Sequence, residues 1–94
     1  MSTFEKVSDG EHWSKLLYEF CQNGELILRK MDLTELNYLV YEKDLRGINV
    51  SDNKIKKIEN EIAKIHNLRY LIVNSNDIDE LPPTLSEISN LEQI

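Results

Sequence analysis

The side chains able to do chemistry are few, and their spacing brings no reactive set together. The chain holds two histidines, His12 and His66, and a single thiol, Cys21. A zinc centre needs four ligands at short spacings, and these residues do not supply them. On any helix holding both, His12 and Cys21 lie about two and a half turns apart, too far for a Cys–His nucleophile pair. The hydroxyls of Ser51, Ser75, Thr34 and Thr84 have no neighbouring base. Asp77 and Asp79 alternate with other residues, as do Glu59 and Glu61. A calcium loop would also need its glycine and its terminal glutamate. Three glycines make no phosphate-cradling loop. The sequence therefore predicts no catalytic residue, no metal and no cofactor, and an enzyme reading has no residues to carry it.

Bulk properties narrow the partners. Ninety-four residues suffice for one small domain. The net charge of -6 argues against a phosphate backbone as ligand, because nucleic-acid binders carry basic patches. Lys54, Lys56 and Lys57 cluster, but Glu59 and Glu61 follow at once, and the run reads as a solvated edge. One cysteine allows no intramolecular disulfide, which fits a reducing compartment. Residues 1–15 include five charged residues and no apolar run, unlike a signal peptide. No stretch approaches the ~18 apolar residues that span a membrane. The expected location is cytoplasmic, or else nuclear, with neither nucleic acid nor membrane as partner.

What the sequence does contain is repetition. Leu45, Ile48, Val50, Asn53, Ile55, Ile58, Ile62 and Ile65 are matched, 23 residues on, by Leu68, Leu71, Val73, Asn76, Ile78, Leu81, Leu85 and Ile88. A fixed period in the twenties is a signature of stacked repeats. A weaker copy, offset by 22, sets Leu26, Leu28, Met31, Leu33, Leu36 and Val40 on Ile48, Val50, Asn53, Ile55, Ile58 and Ile62. Within each unit the period changes. Ile48-Asn49-Val50 and Leu71-Ile72-Val73 have the β-branched character of short buried strands. Ile58, Ile62, Ile65 and Leu81, Leu85, Ile88 follow at helical spacing. Pro82-Pro83 must open the second of these turns, since proline lacks an N–H and is tolerated in a first turn.

Upstream, Trp13, Leu16, Leu17 and Phe20 share one helical face over 11–22, with Asp9 as N-cap and Asn23-Gly24 as stop. A short strand at 25–28 follows. The predicted organisation is a flexible leader (1–10), a cap helix with a degenerate first repeat (11–44), two full repeats (45–67 and 68–90), and the start of another (91–94). The cap helix is expected to cover the edge of the first strand, and Leu91 and Ile94 to lie at an open edge.

The strings LRGINVSDNKIKKI and LRYLIVNSNDIDEL resemble the L-x-x-L-x-L-x-x-N-x-L-x-x-L core of leucine-rich repeats. LPPTLSEISNLEQI is similar to the second half of the 23-residue repeats of intracellular members. The resemblance implies an α/β fold: a curved right-handed solenoid with a short parallel sheet on its concave face and helical or 3₁₀ segments on its convex face. It also implies that Asn53 and Asn76 stack as a ladder. Physically, an asparagine amide at the end of a strand can satisfy backbone groups that the bend leaves unpaired.

The resemblance further implies a non-catalytic, intracellular adaptor or scaffold that binds a protein on its concave face. Strand alternation then selects the contact residues. With Leu71 and Val73 inward, Tyr70, Ile72 and Asn74 point outward. The stacked rows are Glu25–Gly47–Tyr70, Ile27–Asn49–Ile72 and Arg29–Ser51–Asn74, with Lys30–Asp52–Ser75 at the bend. The candidate protein-binding residues are Glu25, Ile27, Arg29, Asn49, Ser51, Tyr70, Ile72 and Asn74. An alternative role is a capping fragment of a longer repeat protein that docks, or self-associates, through the edge at Leu91 and Ile94.

Overall fold

The computed structural model describes residues 10–92. The expected leader, apart from Gly10, lies outside these residues, as do Asp9 and Ile94. The order of elements is α1 (Gly10–Phe20), β1 (Cys21–Gln22), β2 (Glu25–Ile27), α2 (Tyr38–Tyr41), β3 (Gly47–Asn49), a 3₁₀ turn (Asn60–Lys64), β4 (Tyr70–Ile72) and a second 3₁₀ turn (Pro83–Glu87). This is a small α/β domain whose four strands form one mixed sheet in the order β1-β2-β3-β4.

Helix α1 forms where the 3.6-residue pattern places it. Trp13, Leu16 and Leu17 are buried, and Tyr18, on the opposite side, is 88% exposed. The helix ends sooner than the sequence suggests. Cys21 and Gln22 form β1, which pairs antiparallel with β2, Cys21 opposite Leu26 and Gln22 opposite Glu25. Asn23 (φ 55°) and Gly24 (φ 78°) both adopt left-handed backbone. Two positive φ values are what a two-residue hairpin of the I′ kind requires. Asn23-Gly24 is therefore a hairpin turn rather than a helix stop, and β1, not α1, pairs with the edge of β2. The sheet is accordingly not purely parallel.

Strands β2, β3 and β4 run parallel, with Glu25, Gly47 and Tyr70 in one row, Leu26, Ile48 and Leu71 in the next, and Ile27, Asn49 and Ile72 in a third. The middle row faces the core, and all three of its side chains are 0% exposed. Below it, Leu28 and Val50 continue the buried columns, as do Leu45 and Leu68 above. The opposite layer consists of α2 and the two 3₁₀ turns, which bury Val40, Ile62 and Leu85. Pro82 caps the second turn and Pro83 opens it, as the missing N–H requires.

After each parallel strand the chain turns through a left-handed residue at the same place: Lys30 (φ 55°), Asp52 (φ 60°) and Ser75 (φ 59°). For a residue with a Cβ this costs about 1–2 kcal/mol. Hydrogen bonds from asparagine hold the bend. Asn53 Nδ2 donates to Leu28 O (2.7 Å) and Val50 O (2.8 Å), while its Oδ1 accepts from Met31 N (2.9 Å) and Leu33 N (3.1 Å). Asn76 repeats this one rung on, donating to Val50 O (2.9 Å) and Val73 O (3.0 Å) and accepting from Ile55 N (2.9 Å). Met31, at the asparagine position of the first rung, has no side-chain amide, and its backbone N–H donates to Asn53.

Among the described residues, no helix is long and apolar enough to cross a membrane.

Candidate functional site

The side of the sheet turned away from the core gathers the residues that strand alternation selects. Glu25, Gly47 and Tyr70 form one cross-strand row, and Ile27, Asn49 and Ile72 the other. Beyond the strand ends, Arg29 meets Ser51 and Asp52, and Asn74 is exposed beside them. Ile27 is 45% exposed, one of three large hydrophobic side chains this open among the described residues. Ile72 is half-buried and Asn49 lies between the two isoleucines.

Three of these positions differ from a plain exposed strip. Tyr70 is half-buried, because its ring lies over Gly47 and its hydroxyl donates to Glu25 Oε1 at 2.8 Å. A Cβ on Gly47 would collide with Cζ, Cε2 and the hydroxyl of Tyr70, so glycine is what lets the ring cross β3. Burial, then the hydrogen bond to Glu25 and its negative charge, push the Tyr70 phenol up to about 12. Ser51, expected on the open face, is only 3% exposed. It is enclosed by its own bonds: Arg29 Nε donates to Ser51 Oγ (2.9 Å), Ser51 Oγ donates to Asn49 Oδ1 (2.8 Å), and Ser51 N donates to the same oxygen (3.1 Å). Arg29 also pairs with Asp52 Oδ2 at 3.1 Å. This pair is half-exposed, so its contribution is small, and its main effect is to fix the direction of the guanidinium.

The result is a face with an apolar centre, Ile27 and Ile72, flanked by two pre-bonded polar braces, Tyr70–Glu25 and Arg29–Ser51–Asn49. Polar groups already oriented by neighbours lose little side-chain freedom when a partner settles on them. The register of the rows is legible in the sequence; the two braces are not. Glycine opposite both Glu25 and Tyr70 was the available signal for the first. Arg29 diagonal to Asp52 was the signal for the second.

The chemistry-bearing residues outside this face stay apart. Cys21 is half-buried on β1, not on the helix, and His66 is exposed between the first 3₁₀ turn and β4. Among the described residues, no three of His, Cys, Asp and Glu converge as metal ligands would. The lysine cluster is exposed, with Lys54 near Asp32 (3.4 Å) and Lys57 near Glu59 (3.7 Å). Tyr41 sits in the layer opposite the sheet, where its hydroxyl accepts the Glu59 N–H at 3.1 Å. Burial raises its phenol, partly offset by that bond, with the charges of Glu59, Glu61 and Glu35 adding to the rise. Arg69 is tied to Glu92 by two contacts of 3.0 Å at the rim of the sheet.

No protein-family model matches the chain, and no curated protein matches it.

Proposed function

We propose that this chain is a non-catalytic protein-interaction module of the leucine-rich-repeat kind, a short right-handed solenoid that holds another protein on the outer face of its sheet. The location that suits this role is cytoplasmic or nuclear. The observation that carries the reading is the exposed Ile27, in register with Asn49 and Ile72 and flanked by braced polar groups. An aliphatic centre ringed by oriented polar side chains is how an interface hot spot is built. The repeated parallel strands and asparagine bends support the solenoid reading.

Affinity capture from a cytosolic extract tests it, comparing the wild-type chain with Ile27→Asp and with Tyr38→Asp. Tyr38 is 61% exposed on α2, away from the sheet face, and serves as the control. The proposal expects proteins held by the wild type and by Tyr38→Asp to be lost from Ile27→Asp, with unchanged circular dichroism. Capture that is indifferent to Ile27→Asp refutes it.

A further inference from the structure

The hairpin register extends the sheet face beyond its two isoleucines. The β1–β2 pairing sets Cys21 opposite Leu26 and Gln22 opposite Glu25. One residue further back, the same register brings Phe20, the last residue of α1, alongside Ile27. Phe20 is half-buried, as is Met31 at the first bend, and both pack against the margin of the core. With Ile27 they supply the apolar lining of a groove of about 560 Å³. Its rim is polar, with Glu19 from the end of α1, Gln22 from β1, Glu25 from β2 and Arg29 beyond it.

The charges on this rim do not balance. The Arg29 guanidinium is already engaged by Ser51 Oγ and Asp52 Oδ2, at 2.9 and 3.1 Å. Glu25 accepts the Tyr70 hydroxyl through Oε1, and no cation among the described residues lies within ion-pair distance of its carboxylate. The same holds for Glu19. Both glutamates are exposed. With Arg29 matched by Asp52, they leave the groove negative around an aromatic and aliphatic lining.

We propose that this groove receives an arginine side chain of the protein bound on the sheet face, its stem on Ile27 and Met31 and its guanidinium against Phe20 and between the carboxylates of Glu19 and Glu25. A long basic side chain lays its stem on apolar surface while its charged head stays among polar groups. A guanidinium also stacks on aromatic rings and pairs with carboxylates through a planar fork, which an ammonium does not. An acidic side chain would meet like charge at this rim, which selects against it. The inference rests on the sheet-face reading and names the chemistry that face takes.

The test uses the whole chain, isotope-labelled, and the peptide acetyl-Leu-Arg-Leu-amide beside its citrulline counterpart, which has nearly the same shape without the charge. Backbone amide shifts are followed by NMR at Phe20, Gln22, Ile27 and Met31. The arginine peptide should shift them saturably. Binding should weaken by roughly threefold or more with the citrulline peptide, and likewise with a Glu19→Gln/Glu25→Gln chain, as loss of two exposed charge pairs does. Glu25→Gln keeps an acceptor for the Tyr70 hydroxyl, and circular dichroism checks that the fold is unchanged. Glu19→Gln alone, which touches no bond of the sheet, should weaken binding in the same direction. The proposal is overturned by absent shifts at millimolar peptide, by equal binding of the two peptides, or by undiminished binding to the double variant. Shifts at these amides caused by Lys6→Gln without peptide would place the chain's own residues 1–9 in the groove and also overturn it. In the capture experiment, proteins lost from Ile27→Asp should also be reduced with the double variant. Their full retention there overturns this inference alone, whereas capture indifferent to Ile27→Asp overturns the sheet-face reading and this inference with it.

Discussion

Tyr70 reaches across β3, over Gly47, to donate its phenolic hydrogen to Glu25 at 2.8 Å, joining residues 45 apart in sequence. One missing side chain makes this possible. Gly47→Ala should therefore destabilise the chain by about 1–3 kcal/mol, the cost of overpacking. This outweighs the roughly 0.5–1 kcal/mol that alanine gains over glycine in a strand. In a Tyr70→Ala background the same change should be neutral or stabilising. A double-mutant cycle from denaturant melts measures the coupling, and additive effects would show that the ring does not lie over Gly47.

The same contact makes stability depend on alkaline pH. Tyr70 is raised from 10.0 to about 12, chiefly by burial and then by Glu25. The fold thus favours the neutral phenol. Its contribution is complete below the unfolded value of 10.0 and is lost as pH rises towards about 12. Tyr70→Phe removes this dependence but keeps Tyr41, whose phenol is also raised. Melting temperatures of wild type and Tyr70→Phe should therefore converge, or cross, over that window. Parallel curves would contradict the Tyr70–Glu25 bond.

The two bend asparagines should not be equivalent. Asn53 is 8% exposed and bonded on both sides, to Met31, Leu33, Leu28 and Val50. Asn76 is half-buried and near the sheet edge. Each buried backbone group left unpaired costs about 1–3 kcal/mol. Asn53→Leu should therefore destabilise strongly, to the point of unfolding a chain this small, and Asn76→Leu distinctly less. Thermal melts by circular dichroism rank the two. Wild-type-like melting of Asn53→Leu would remove the asparagines from any role in holding the bends.

Much of this arrangement was legible in the sequence because it is periodic. Val50 over Val73 and Asn53 over Asn76 follow from counting, and the rows Glu25–Gly47–Tyr70 and Ile27–Asn49–Ile72 follow from strand alternation. Three features lie outside what the period encodes. Cys21-Gln22 continue an amphipathic helix pattern, and tertiary pairing with Glu25-Leu26 overrides that local preference. Asn23-Gly24 signals both a helix end and a hairpin, and only the strand on its far side decides between them. Ser51 is polar and lies on an outward row, yet it is enclosed because Arg29 and Asn49 fold over it. That closure depends on the directions of long side chains, which spacing does not specify.

Each strand-and-bend unit is held to the next through a repeated set of backbone donors. Native-state hydrogen exchange of the free chain tests it most directly. Slow exchange is expected at Leu28, Lys30, Leu33, Val50, Asp52 and Ile55, whose N–H groups are taken up by the following strand and bend, and fast exchange at Val73, Ser75 and Ile78. Exchange at Val50, Asp52 and Ile55 as fast as at Val73, Ser75 and Ile78 would contradict it.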